Sequence, residues 1–128
     1  MKKFARIIGT GSYLPPKIVT NFDLEKTLDT TDDWIKARTG IKERRIVTSE
    51  TTCDLALEAS INALSMSELK PQDIDLIILS TTTPDKIFPA TATILQQRLG
   101  ASCPAFDVQA VCAGFVFALN TAQQYIEN

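Results

Sequence analysis

An α/β fold built on a mostly parallel sheet is what the sequence predicts, and three observations carry that prediction. Ile74-Asp75-Leu76-Ile77-Ile78-Leu79 is a nearly continuous run of β-formers, the pattern of a strand buried on both faces of a parallel sheet. Strand patterns alternate with helical ones and are joined by short links. Ala105 to Val108, a further strand, passes within a few residues into a strongly apolar helical stretch, Ala113 to Ile126.

Taken in order, Phe4 to Gly9 is a short apolar run ending in Gly9-Thr10-Gly11-Ser12, and it reads as a strand entering a turn. Pro15-Pro16 then ends regular structure. Asn21 is a good N-cap for a short helix through Leu28, with acids in its first turn. A second short helix is capped by Thr30 or Thr31, holds Asp32, Asp33 and Trp34, and stops at Gly40. Ile41 to Val47 mixes charged and apolar residues as an exposed extended segment. From Thr52 to Met66, the residues Leu55, Ala56, Ala59, Ala63 and Leu64 recur at helical spacing, and Lys70-Pro71-Gln72-Asp73 breaks that helix.

After the buried strand, Thr81-Thr82-Thr83-Pro84 is a loop, and Pro89 suits the first turn of a helix from Ala90 to Leu99 that Gly100 ends. The last helix is apolar almost all round at Phe115-Val116-Phe117-Ala118-Leu119, which predicts that it is buried. A right-handed crossover would next require another strand, so a sheet that stopped at Asn128 would have an unfinished edge.

The chain of 128 residues has the size of one domain with a modest core. Its 45% hydrophobic and 22% charged content excludes a disordered or fibrous protein. A net charge of -2 gives no general attraction to nucleic acid or anionic membrane, and neither is expected as a partner. Met1 to Gly9 imitates the basic head of a signal peptide, but Arg6 interrupts an apolar run already too short for a signal core or a span. A cytoplasmic protein is expected.

Three cysteines, Cys53, Cys103 and Cys112, are an odd number without CxxC spacing, which argues against a disulfide framework and a cysteine zinc site and predicts free thiols. Histidine is absent, which removes the commonest general base and metal ligand together, and no metal site is expected.

Cys112 is the candidate nucleophile. In Gln109-Ala110-Val111-Cys112-Ala113-Gly114-Phe115 a strand turns sharply into an apolar helix, resembling in principle the strand-nucleophile-helix elbow of hydrolases. The positive end of a helix favours thiolate over thiol, and Ala113 and Gly114 leave room for a substrate. A buried thiol beside them would face a dry pocket, as an acyl chain requires. The alternative is a small core cysteine. Cys53 is also near a helix start, but Glu50 and Asp54 oppose its ionisation, and Cys103 lies in a loop before Pro104, so both read as structural.

Three blocks, Gly9-Thr10-Gly11-Ser12-Tyr13-Leu14-Pro15, Trp34 to Arg45, and Ala105 to Phe115, occur in the order and at the distances of the β-ketoacyl-acyl carrier protein synthase III family, which the chain resembles along its whole length. The resemblance implies the N-terminal half of a thiolase-like fold, with helices on both faces of the sheet and a nucleophilic cysteine at the start of a buried helix. It implies that residues 1–128 form a half-domain whose C-terminal half, carrying the His and Asn of a Cys-His-Asn set, is absent.

By the same resemblance Cys112 takes a short acyl group from coenzyme A, such as acetyl, and that group is then attacked by the carbanion from malonyl-acyl carrier protein. Coenzyme A enters as a substrate and no cofactor is implied. Thr30, Trp34 and Arg38 match positions around coenzyme A, with the indole against adenine and the guanidinium near phosphate. Residues of that kind are otherwise a core-edge Trp and a solvated Arg. Phe88 matches a residue that lines the acyl pocket of the partner in a homodimer. Arg44 and Arg45 are weaker candidates for a basic surface that docks acidic carrier protein. Val111 departs from the alanine of many relatives and bears on which acyl primer is accepted.

Two rival readings remain open at this point. One is another thiolase-fold acyltransferase or condensing enzyme of secondary metabolism. The other is a non-catalytic assembly module that works through an exposed sheet edge.

Overall fold

The computed structural model describes residues 4–128. They divide into two compact units, one comprising Leu14–Glu50 and the other the remaining N-terminal residues together with Thr51–Asn128.

In the Leu14–Glu50 unit, β1 (Lys17–Thr20) pairs antiparallel with β2 (Glu43–Ile46), Lys17 opposite Ile46 and Thr20 opposite Glu43. Two helices connect them, α1 (Asn21–Glu25) and α2 (Asp32–Thr39). Thr20, not Asn21, caps α1, through a reciprocal box with Asp23. Thr31 caps α2 by accepting the Trp34 N–H, and Gly40 closes it in the left-handed region at φ 71°.

Asn21 is fully buried in this unit and makes use of its whole carboxamide. Its Nδ2 donates to Asp32 Oδ1 and to the Ile41 carbonyl, each at 2.8 Å, and its Oδ1 accepts from Arg44 Nη1 at 2.7 Å. A buried amide with both N–H groups and its carbonyl oxygen hydrogen-bonded is a stable hub, whereas one with a buried group left unpaired would cost about 1–3 kcal/mol. Arg44, a candidate for a docking surface, is thereby engaged inside its own unit.

The second unit contains α3 (Thr52–Ser67), β3 (Ile77–Ser80), α4 (Thr91–Leu99), β4 (Ala105–Val108) and α5 (Gly114–Glu127). β3 and β4 are parallel, with Ile77 opposite Ala105 and Ser80 opposite Val108. Alternation along the strands divides their side chains between two layers. Ile77, Leu79 and Ala105 join Cys53, Ala92 and Leu95 in a core against α3 and α4. Ile78, Ser80 and Phe106 face the side on which α5 lies. Helices therefore cover both faces of this parallel pair, as expected of the α/β class.

Three further expectations are corrected. Phe4 to Gly9 is not a strand: no ladder forms there among the described residues. Residues 9–12 instead lie along α3, where Gly9 and Gly11 approach the backbone of Ala59 and Ala63 too closely for any side chain, and the Ser12 carbonyl accepts Asn62 Nδ2 at 2.9 Å. β1 was not anticipated, because Pro15-Pro16 reads as the end of order although β2 supplies a partner just beyond it. Finally, α5 is not buried. It seats Gly114 and Ala118, but Phe115 and Leu119 border an open groove and, like Val116 and Phe117, are exposed because no described element covers the rest of the helix.

No described helix is long and apolar enough to cross a membrane.

Candidate active site

Cys112 stands where β4 gives way to α5. After Val108 the chain turns at Gln109 and Ala110, and Val111–Ala113 form one 3-10 turn that runs directly into the helix. The Ala113 N–H donates to the Ala110 carbonyl at 3.0 Å and the Gly114 N–H donates to the Val111 carbonyl. The cysteine thus lies in a helical turn just ahead of α5, close to where the sequence placed it.

Val111 has φ of 48°. A β-branched residue in the left-handed region is a true outlier, costing on the order of 1–3 kcal/mol, and such strain persists only where the surroundings enforce it. The kink lies immediately before Cys112, whose side chain is exposed. Residue type gave no warning, since glycine or asparagine normally fills such positions.

Glycine matters at 114 for a different reason. A Cβ there would overlap the Ser80 hydroxyl at the end of β3, so the start of α5 rests on that strand with Ser80 in its present rotamer because residue 114 has no side chain. Gly114 is buried against it.

Between α5 and the sheet runs an open groove of about 1300 Å³. Cys112, Val111 and Ser80 border it beside the start of α5, while Phe106, Phe115 and Tyr125 give it apolar walls. The rings of Phe106 and Tyr125 are 6.3 Å apart and tilted, a favourable aromatic geometry. An exposed thiol opening on an apolar trough can hold an aliphatic acyl group as a thioester. The groove residues Ser80, Phe106 and Tyr125 escaped sequence reasoning, although the alternation of Ile77 and Leu79 against Ile78 and Ser80 carries the signal for the first of them.

The other two thiols are buried. Burial pushes the Cys53 thiol above its ordinary range despite a hydrogen bond with Arg98, which fits the structural role expected of it. Phe88 is 88% exposed in the loop between β3 and α4, next to a fully exposed Ile87.

In the Leu14–Glu50 unit, Thr30, Trp34 and Arg38 come together at α2. The Arg38 guanidinium carbon lies 4.2 Å from the centre of the Trp34 ring, a cation–π contact between residues one turn apart. Half of the indole remains exposed. Thr30 and Trp34, with Leu28, Asp29 and Thr31, surround a hollow of about 380 Å³. The Thr30 hydroxyl is buried yet has no hydrogen-bond partner among the described residues. An unmet hydroxyl beside a half-open indole suits a planar heterocycle bearing polar edges. Cys112 and Phe88 belong to the other unit, on separate loops.

Comparison with known proteins sharpens these observations. The family model described as 3-oxoacyl-[acyl-carrier-protein (ACP)] synthase III matches residues 106–128. A β-ketoacyl-[acyl-carrier-protein] synthase III of Vesicomyosocius okutanii is 69% identical over 99% of this chain and 40% of its own length. The protein of that name from Xylella fastidiosa is 57% identical over 98% of the chain and 39% of its own length. Among solved structures, 3-oxoacyl-[acyl-carrier-protein] synthase III of Aquifex aeolicus superposes with a TM-score of 0.92 and 51% identity, covering 97% of this chain and 40% of that one. The priming β-ketosynthase of the R1128 polyketide pathway gives 0.94 at 38% identity, covering 98% of this chain and 38% of its own. The chain spans about 40% of the length of the curated relatives it matches.

Proposed function

We propose, from the premise that the chain is the N-terminal part of a β-ketoacyl-[acyl-carrier-protein] synthase III, that it supplies the acyl-accepting nucleophile and the coenzyme A contacts of that enzyme. The observation that carries the reading is Cys112, exposed on a strained turn and opening on an apolar groove.

The sulfur of Cys112 attacks the carbonyl carbon of a short acyl-coenzyme A, and the coenzyme A thiolate leaves. In the second half-reaction the bond between the malonyl α-carbon and its carboxylate breaks on the acyl carrier protein, releasing CO2. The freed electron pair forms the new carbon–carbon bond at the Cys112-bound carbonyl, and the cysteine departs. Histidine is absent from these 128 residues, so an imidazole that assists these steps has to come from outside them.

Trp34 stacks on adenine, the unmet Thr30 hydroxyl takes one of its polar edges, and Arg38 leaves the indole to pair with phosphate. Phe88 lines the acyl pocket of the partner in a homodimer, and the protein works in the cytoplasm with malonyl-acyl carrier protein as its second substrate. Likeness to a polyketide priming ketosynthase supports a variant with a different acyl primer, and Val111 in the groove wall is the residue placed to select it.

The test is condensation by the full-length protein given acetyl-coenzyme A and malonyl-acyl carrier protein. Cys112→Ala is expected to abolish β-ketoacyl product, and undiminished turnover by that variant would overturn the proposal.

A further inference from the structure

We propose that Asp107 is a positioning residue: working from β4, the strand that leads to Cys112, it orders the loop 84–90 through Thr91 and Asp85 and so sets where Phe88 stands. The inference rests on the reading of Phe88 as an acyl-pocket residue and adds what holds that residue in place.

The start of α4 poses the problem that Asp107 solves. Its N-cap is Ala90, which has no side chain able to accept a hydrogen bond, so the first helical amides need a partner from elsewhere. They donate to Asp107, Thr91 N to Oδ2 at 2.9 Å and Ala92 N to Oδ1 at 2.8 Å. A carboxylate at the positive end of a helix is favourable in charge as well as in hydrogen bonding.

From Thr91 the connection continues into the loop. Thr91 is fully buried, and its Oγ1 accepts the Asp85 N–H at 3.0 Å. Asp85 Oδ1 in turn accepts the Cys53 N–H at the start of α3, at 3.1 Å. One residue earlier than Pro84, the Thr83 carbonyl accepts Thr52 Oγ1 at 2.6 Å. The loop is thus held at both feet, while its tip projects Ile87 and Phe88 almost fully into solvent. A tip of two exposed apolar side chains gains nothing from its own packing, and its direction is set by those feet.

Position along β4 assigns Asp107 this task and no direct part in the chemistry. Alternation puts it on the opposite side of the strand from Phe106, which lines the groove beside Cys112. One strand therefore aligns two features at once, the nucleophile at its end and the primer-recognising loop behind it.

The experiment uses the full-length protein with Thr91→Val, which deletes only the acceptor for Asp85, and Asp107→Asn, which sets an amide N–H against a backbone N–H. Exchange of the Asp85 amide and its loop neighbours should rise about threefold to tenfold, as for one lost hydrogen bond, with α5 unaltered. The ratio of kcat/KM for acetyl-coenzyme A to that for a longer acyl-coenzyme A should shift in the direction produced by Phe88→Ala. Combining either variant with Phe88→Ala should add nothing. Thr91→Ser, which keeps the hydroxyl, should restore the original ratio, and if Asp107→Asn fails to fold, Asp107→Glu, which keeps a carboxylate but displaces it by one methylene, carries the test of Asp107 with the same readouts. A ratio that moves with Phe88→Ala but not with Thr91→Val, or effects that simply add, would overturn the proposal. A Phe88→Ala protein with an unaltered ratio would instead remove the reading of Phe88, and loop exchange alone would then decide whether Asp107 orders the segment.

Discussion

Ser80 at the end of β3 lies directly beneath Gly114 at the start of α5, so close that a methyl group on residue 114 would overlap its hydroxyl. The contact fixes the height at which the turn bearing Cys112 meets the sheet. Gly114→Ala should therefore destabilise the protein by about 1–3 kcal/mol, the usual range for overpacking. Ser80→Ala combined with it should recover most of the loss, because the Ser80 Cβ stands at ordinary contact distance, 3.4 Å. Thermal midpoints of the two single variants and the double variant check this, and additive losses would contradict it.

Thiol accessibility separates the three cysteines. Cys112 is exposed, whereas Cys53 is fully buried and Cys103 is 6% exposed. A limiting dose of iodoacetamide under native conditions should label Cys112 ahead of the other two, and the preference should vanish in denaturant. Peptide mapping of the labelled protein reads the result.

Trp34 is the one tryptophan in the sequence, so intrinsic fluorescence of these residues reports the α2 site alone. Coenzyme A should change that emission as adenine reaches the ring. Thr30→Val should weaken binding by about threefold to tenfold, the worth of one hydrogen bond, and Arg38→Ala should weaken it while altering the emission of the free protein by removing the cation above the indole. Trp34→Phe is the control, and it should abolish the change.

Acid should loosen the segment before α3. Backbone N–H groups at Thr48, Glu50 itself and Ser49 hold the Glu50 carboxyl down to about 2, against an ordinary 4.5. A folded-state value below the unfolded one stabilises the fold above about 4.5 and loses that contribution as the pH falls towards 2. Glu50→Gln should be less stable than the parent at neutral pH, and the difference should close across that interval. Denaturation midpoints measured from pH 7 downward provide the check.

Helix ends were the most readable part of this sequence. Gly40 and Gly100 both close helices in the left-handed region, at φ 71° and 74°, as a glycine after an amphipathic run implies. The Ala105–Val108 strand was legible to the residue. Strands that depend on a distant partner were not. Phe4 to Gly9 has the composition of a strand without a ladder, and Lys17–Thr20 acquires one from Glu43–Ile46 despite two preceding prolines.

The candidate site divides in the same way. Cys112 was marked by the boundary between a strand and an apolar helix, whereas Trp34 and Arg38 were marked only by the resemblance of their block to a known family, their local pattern reading as a core-edge Trp and a solvated Arg. The left-handed Val111 and the bonds from Asp107 to Thr91 had no local signature, because each is imposed by tertiary packing. The exposure of Phe115, Val116 and Phe117 also departs from the pattern: an all-apolar helix is buried only when something covers each side.

Every step proposed for this protein begins with transfer of an acyl group to Cys112. Incubating the full-length protein with acetyl-coenzyme A, quenching in acid and mapping peptides by mass spectrometry tests it directly. One acetyl thioester is expected, located on Cys112 and removed by hydroxylamine. An unmodified Cys112, with the acetyl group on Cys53, on Cys103 or nowhere, would contradict it.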